Sequence, residues 1–306
     1  MLLDFHCSFI RSETGCEPAA HGTDDFACRG CDEVITSAPG DGVPWHWHKD
    51  FEAILAVSGS LLVLVPNEEI ELAPGMAVFI NSGCPHAVHS KSEGRLRSVI
   101  FSDFFVAGDE GSAIMSRYVR PLAHADGLKY VLFSPDDVDG GRAARNLKLA
   151  IDAIEAERPG FEIESRNRIS QMLFEAWELA GSPAPVDAEE CLDANRAELM
   201  RDFIAEHYAE KVTVGQIAAA GGVCERESLR CFTKEFGVSP SRYLMICRLN
   251  RASELLAGTD MDVAEIARMV GIPSPSNFSQ LFRRDFNCTP RTFRSRARVQ
   301  QPLQVP

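Results

Sequence analysis

A chain of 306 residues has room for two separate cores, and its 45% hydrophobic and 25% charged residues are ordinary values for a globular protein. No apolar run reaches the roughly 20 residues a membrane-spanning helix needs; the longest candidate, AILAVSGSLLVLV, is broken at Ser58-Gly59-Ser60. The net charge of −13 argues against a nucleic-acid partner only until the chain is divided: residues 191–306 hold 16 basic against 13 acidic residues, the remainder 15 against 31.

The opening MLLDFHCSF has neither a basic region nor a long apolar stretch, so no signal peptide is expected and the expected compartment is the cytoplasm. There the ten cysteines stay reduced. Residues 1–33 form a leader with Cys7, Cys16, Cys28 and Cys31. The C-x-x-C at Cys28 and Cys31 suits half a zinc site or a redox pair, yet Cys7 and Cys16 lie too far apart to be its matching half. Packing alone is the third reading of these thiols.

From about Val34 to Phe101 the pattern alternates as antiparallel strands do, and residues 34–135 are expected to form one barrel domain. EAILAVSG, SLLVLVP and MAVFI are separated by turns with Gly or Pro, and a small barrel or jelly roll is the economical fold. His46 and His48 alternate along one strand, and a period of two points both to the same face. The spacing Gly40, His46, His48, Glu52, Gly59, followed by Gly75, Asn81, Gly83 and His86, resembles the cupin superfamily, with Asn81 where that family has proline. The resemblance implies His46, His48, Glu52 and His86 as four ligands of a divalent transition metal, or as the lining of a small-molecule effector pocket. Three imidazoles and a carboxylate suit zinc, manganese, iron or nickel. Trp45 and Trp47 flank the histidines, either as packing or as rings offered to an effector.

Residues 142–180 contain two helical patterns joined at Pro159-Gly160, a helical hairpin. GSPAPVDAEE, residues 181–190, reads as an interdomain linker.

The C-terminal part repeats itself. Val214, Ile217, Ala218 and Val223 recur 49 residues later as Val263, Ile266, Ala267 and Ile272; Phe232, Phe236, Pro240 and Tyr243 recur 50 later as Phe282, Phe286, Pro290 and Phe293. Each copy has a short apolar-periodic helix, a turn at Gly222 or Gly271, and a second helix of about 12 residues, the layout of a helix-turn-helix. Ser274 is placed to cap the second recognition helix with Pro275 at its first position. The stretch from Ser239 to Gly258 reads as one rod holding the two units at a fixed separation.

RESLRCF, GVSPSRYL, IARMVGI and PSNFSQLFRRDFNCTPRTFR make residues 191–298 similar to the DNA-binding domain of the AraC/XylS transcription regulators, with residues 299–306 a tail. Cys224 stands where that family usually has a capping Ser, and Asn287 where Gly is frequent. The resemblance implies double-stranded DNA as partner, with Arg226, Leu229 and Arg230 of the first recognition helix and Ser276, Ser279 and Gln280 of the second reading bases. Lys234, Arg283 and Arg284 are placed for phosphate. It further implies RNA polymerase as a partner and a homodimer, with Leu147, Ile151, Ile154, Met172 and Leu173 of the hairpin as interface candidates beside the alternative of packing within the chain.

The expected fold class is therefore α+β: an N-terminal cupin-like barrel with a helical hairpin, then an all-α domain with two helix-turn-helix motifs. The expected function is DNA-binding transcription regulation governed by a small effector or metal in the barrel, without enzymatic turnover or a membrane. The alternative is a cupin metalloenzyme fused to a DNA-binding module.

Overall fold

The computed structural model describes residues 3–4, 22–23, 25–38, 41–185 and 188–300. Cys7, Cys16, Gly40, part of the linker and residues 301–306 lie outside them. The strands are Leu3–Asp4 (β1), Cys28–Ile35 (β2), Val43–His46 (β3), Phe51–Ser58 (β4), Leu61–Val65 (β5), Glu68–Leu72 (β6), Ala77–Ile80 (β7), His86–Ser90 (β8), Gly94–Phe101 (β9) and Tyr130–Phe133 (β10). They form a six-stranded sheet in the order β1-β2-β9-β4-β7-β10 facing a four-stranded one in the order β3-β8-β5-β6. Every pairing is antiparallel except that of β1 with β2.

The pleat of β4 sorts two cores. Ile54 and Ala56 turn inward and join Ile35, Val63, Leu72, Val78 and Leu96 between the sheets. Phe51, Ala53 and Leu55 turn outward, where Phe79, Phe101 and Phe133 meet the helical hairpin of Val138–Ala156 (α3) and Phe161–Leu179 (α4). Leu147, Ile151, Ile154, Met172 and Leu173 are all in that outer core at 0 or 1% exposure. They pack on their own barrel and are not available as they stand to a second chain.

Between barrel and hairpin the structure adds elements that the alternation did not show: helices Asp103–Ala107 (α1) and Arg120–Ala123 (α2), a π-helical turn at Met115–Val119, and β10 closing the edge of the larger sheet. Asn81, the departure from the cupin pattern, ties this insertion down. Its Nδ2 donates to the carbonyls of Leu122, Ala123 and Leu128 at 3.0–3.1 Å. Proline has no side-chain donor and could not do this.

The second half is helical: Ala188–His207 (α5), Val214–Ala220 (α6), Glu225–Phe236 (α7), Pro240–Gly258 (α8), Val263–Met269 (α9), Pro275–Phe286 (α10) and Pro290–Gln300 (α11). Two cores divide it, one around Phe232, Phe236 and Tyr243, the other around Phe278, Phe282 and Phe286, with α8 supplying both. Local chemistry sets the helix ends. Thr213 and Gln216 form a capping box before α6, Ser239 caps α8 ahead of Pro240, and Ser274 caps α10 ahead of Pro275. Cys224 precedes α7 with no side-chain cap bond, and Asn287 ends α10 in the left-handed region at φ 53°. Among the described residues no helix is long and apolar enough to cross a membrane.

Because Leu147 is fully buried under the barrel, Leu147→Ala should lower the unfolding free energy by about 2–5 kcal/mol, read by urea denaturation.

Candidate functional site: a histidine cluster and two recognition helices

His46, His48, Glu52 and His86 converge inside the barrel, where their ligating atoms all lie within 4.8 Å of one another. β3 brings His46, the turn after it His48, β4 Glu52 and the first position of β8 His86, so both sheets contribute. His46 pairs directly with His86 across the strands. All four are buried, at 0–6% exposure.

The hydrogen bonds fix which nitrogen faces the centre. Nδ1 of His46, His48 and His86 sits 2.8–2.9 Å from the carbonyl oxygens of Pro44, Asp50 and Cys84 respectively. A carbonyl only accepts, so each Nδ1 must carry the hydrogen. In the neutral rings Nε2 then presents a lone pair, and the three Nε2 atoms lie 4.0, 3.3 and 2.8 Å from a single oxygen, Glu52 Oε2. Lone pairs and a carboxylate pointed at one spot repel unless a proton or a cation stands among them. This is the outer-shell arrangement that orients histidine ligands on a metal, and the donor set fits a divalent transition ion.

Burial alone would push the Glu52 carboxyl up. Hydrogen bonds from His48 and His86 carrying a proton at Nε2 as well, reinforced by the charge that proton brings, outweigh it and hold the group well below the ordinary carboxylate range. His46, Glu52 and His86 border a recess walled by Val43, Ile54, Val88, Leu96 and Ile100 with Cys31, Glu33 and Ser98 as polar points; at about 20 Å³ it has room for about one water-sized group.

Cys28 and Cys31 sit three apart on β2 and so face opposite sides of the sheet: Cys28 lies in the outer core and Cys31 lines the cavity. Neither thiol is in a disulfide, and the two do not point to a common centre.

On the recognition helices the outward positions are open. Arg226, Leu229 and Arg230 of α7 and Ser276, Gln280, Arg283 and Arg284 of α10 are exposed, while Ser279 and Lys234 are half-buried. Leu229 is 49% exposed although apolar. Arg230 has company that its spacing did not announce. Its Nη2 reaches Asp193 of α5 at 2.7 Å and Glu227 at 2.5 Å. Asp193, Glu227 and Cys231 form a second convergent group, but the guanidinium occupies it. Burial and the hydrogen bond to Asp193 push the Cys231 thiol up to about 11, so it is a poor thiolate donor. Arg284 Nε likewise contacts Asp285, which also pairs with Arg242.

Trp47 was the residue whose role the pattern left open. It is 1% exposed, and its neighbours belong to the helical domain: Ala197, Met200 and Ile204 of α5, Phe232 and Phe236 of α7, and Tyr243 of α8. Its ring lies 4.7 Å from that of Tyr243, and the buried Arg201 guanidinium stands over it at 5.5 Å. Trp45 meets Arg242 at 5.9 Å. The two tryptophans thus face away from the barrel interior into which the histidines point.

Known proteins agree with both halves. The helix-turn-helix domain family matches residues 217–296 and the cupin domain family residues 33–101. An uncharacterized HTH-type transcriptional regulator, YdeC of Bacillus subtilis (strain 168), is 27% identical over 82% of this chain and 86% of its own. The HTH-type transcriptional activator RhaS of Yersinia pestis (strain Pestoides F) is 24% identical over 90% of this chain and 98% of its own. Among solved structures, unsaturated fatty acid bound ToxT from Vibrio cholerae strain SCE256 superposes with a TM-score of 0.52 at 13% identity, covering 88% of this chain and 94% of that one. The P21 form of ToxT gives 0.56 at 13%, covering 87% and 98%. At that identity the likeness speaks for the fold. The chain is a DNA-binding transcription regulator of the AraC type, with a cupin domain ahead of its paired helix-turn-helix units.

Proposed function

We propose that His46, His48, Glu52 and His86 hold a divalent transition metal, and that this ion, alone or with a small effector in the adjoining cavity, sets the DNA-binding state of the regulator. The observation that carries the reading is the fixed tautomer of the three imidazoles, each held by a backbone carbonyl so that its lone pair faces Glu52. Regulation requires only that the bound species prefer one of two conformations, so the reading assigns no turnover to the barrel. The fatty acid named for ToxT suggests an organic acid as effector class; the recess of about 20 Å³ is too small for one as it stands, so binding would require the barrel to open.

In the same reading α7 and α10 enter successive major grooves, with Arg226, Leu229, Arg230, Ser276, Ser279 and Gln280 at base edges and Lys234, Arg283 and Arg284 at phosphates. Their exposure supports this. RNA polymerase is taken as a partner by analogy with the relative named an activator. A homodimer in the cytoplasm is part of the reading, and its contact surface is sought outside the buried hairpin core, for instance around Phe174, which is 40% exposed beside Tyr118 and Trp177.

Elemental analysis of purified protein should find about one transition-metal ion per chain, and His48→Ala should lose it; unmutated protein well short of one ion would end the metal reading and leave the regulator standing. Acidification to about pH 5 should release the ion, since protons compete for the imidazole nitrogens. Glu52, held low, stays ionised longer than an ordinary glutamate, so the release comes from the histidines. On DNA, Arg230→Ala should cost about 1–3 kcal/mol and relax one base position, measured by binding to a set of single-base operator variants. An equal loss on every sequence would reduce Arg230 to a phosphate contact.

A further inference from the structure

We propose that Trp47 is the coupling residue between the barrel and the first helix-turn-helix unit, so that an ion drawn onto His46 and His48 stiffens the seat of α5, α7 and α8. The proposal rests on the metal reading above.

Three consecutive residues carry it. His46 and His48 turn inward to Glu52, and Trp47 between them turns outward into the core of the helical domain, among Met200, Phe232, Phe236 and Tyr243. Trp47 is bonded directly to both histidines, so fixing His46 and His48 restrains the backbone that carries it. The segment bearing the remaining histidine touches the same helices. Gly83 lies three residues before His86, and its N–H donates to the His48 carbonyl at 2.9 Å. Its φ is +70°, and a Cβ there would come within 2.7 Å of the Phe236 ring. So both loops that present histidines also abut α7.

The seat combines aromatic, cationic and polar contacts. Arg201 is held over the rings of Trp47 and Phe236 at 5.5 and 5.7 Å. Trp47 Nε1 is buried without a hydrogen-bond acceptor in the protein, which lowers the cost of withdrawing it. At the rim the ties are polar: His124 to Glu235 at 2.9 Å and Lys49 to Asp202 at 3.8 Å.

The test is hydrogen–deuterium exchange on the full-length protein, freed of metal by chelation and then given one equivalent of zinc ion, with uptake checked by elemental analysis. In the wild type, zinc should slow exchange about five-fold or more at residues 46–52 and also at 197–204 and 232–244. Trp47→Ala should take up the same amount of zinc and keep the slowing at 46–52 while losing it in the two helical segments; Trp47→Phe should recover part of it. Zinc taken up with exchange in 197–204 and 232–244 unchanged overturns the coupling and leaves the metal reading intact, as does Trp47→Ala retaining the full effect. No zinc uptake removes the metal reading and this proposal with it. Should Trp47→Ala fail to fold, the wild-type comparison and Trp47→Phe decide the matter.

Discussion

The alternation of one strand organises this molecule. Because successive side chains of a strand point to opposite faces, the run Trp45-His46-Trp47-His48 serves two environments at once. The histidines meet a buried carboxylate inside the barrel, and the tryptophans meet the helices that carry the DNA-reading surface. A shift of register by one residue would exchange them, placing indoles against Glu52 and imidazoles in the apolar core of the first helix-turn-helix. Neither side tolerates that, so the register is fixed from both directions.

The electrostatics follow from burial. Glu52 is 6% exposed, and an isolated carboxylate in such a place would take up a proton or exclude itself from the core. His48 and His86, when charged, make the ionised form the stable one. A low folded-state pKa means that this stabilisation is present above the ordinary glutamate range and is lost as pH falls through the lowered value, the opposite of a lone buried glutamate, whose burial would make acid favour the fold. Neutral imidazoles cannot fully supply that stabilisation, since their hydrogens point at backbone carbonyls. Positive charge has to enter at Nε2, either as a proton or as an ion.

What could be read from the sequence was what is local or periodic. The helix-turn-helix pair was legible because its caps, turns and apolar spacing all lie within a few residues of one another and then recur: Ser274 caps α10 and Asn287 ends it as their chemistry predicts. The cupin strands and the four candidate ligands were legible for the same reason, a period of two plus a short spacing. What escaped is long-range. Nothing near Asn81 announces that its amide will pin carbonyls about 40 residues on, and no spacing ties Trp47 to Tyr243. The hairpin residues Leu147 and Met172 could be read as apolar faces, but a sequence does not say whether a face is covered by the same chain or by another. The structure covers them with the barrel.

The helix α5 joins these observations. One side of it, at Ala197, Met200 and Ile204, receives Trp47; one turn earlier Asp193 holds Arg230, the cation foremost among those expected to read a base. Spacings of four, seven and eleven residues keep Asp193, Ala197, Met200 and Ile204 along a single stripe of the helix. A rigid helix moves as a whole, so a displacement imposed at Trp47 would reach the carboxylate that holds Arg230. If Arg230 reads a base as proposed, its guanidinium, paired with two carboxylates, must give up at least one to take a guanine edge. The body outside residues 191–306, with 15 basic against 31 acidic residues, adds repulsion to any phosphate approaching from its side. On the two proposals together, specific DNA binding would be the outcome of a contest within the protein, with α5 placed where the state of the barrel could tip it.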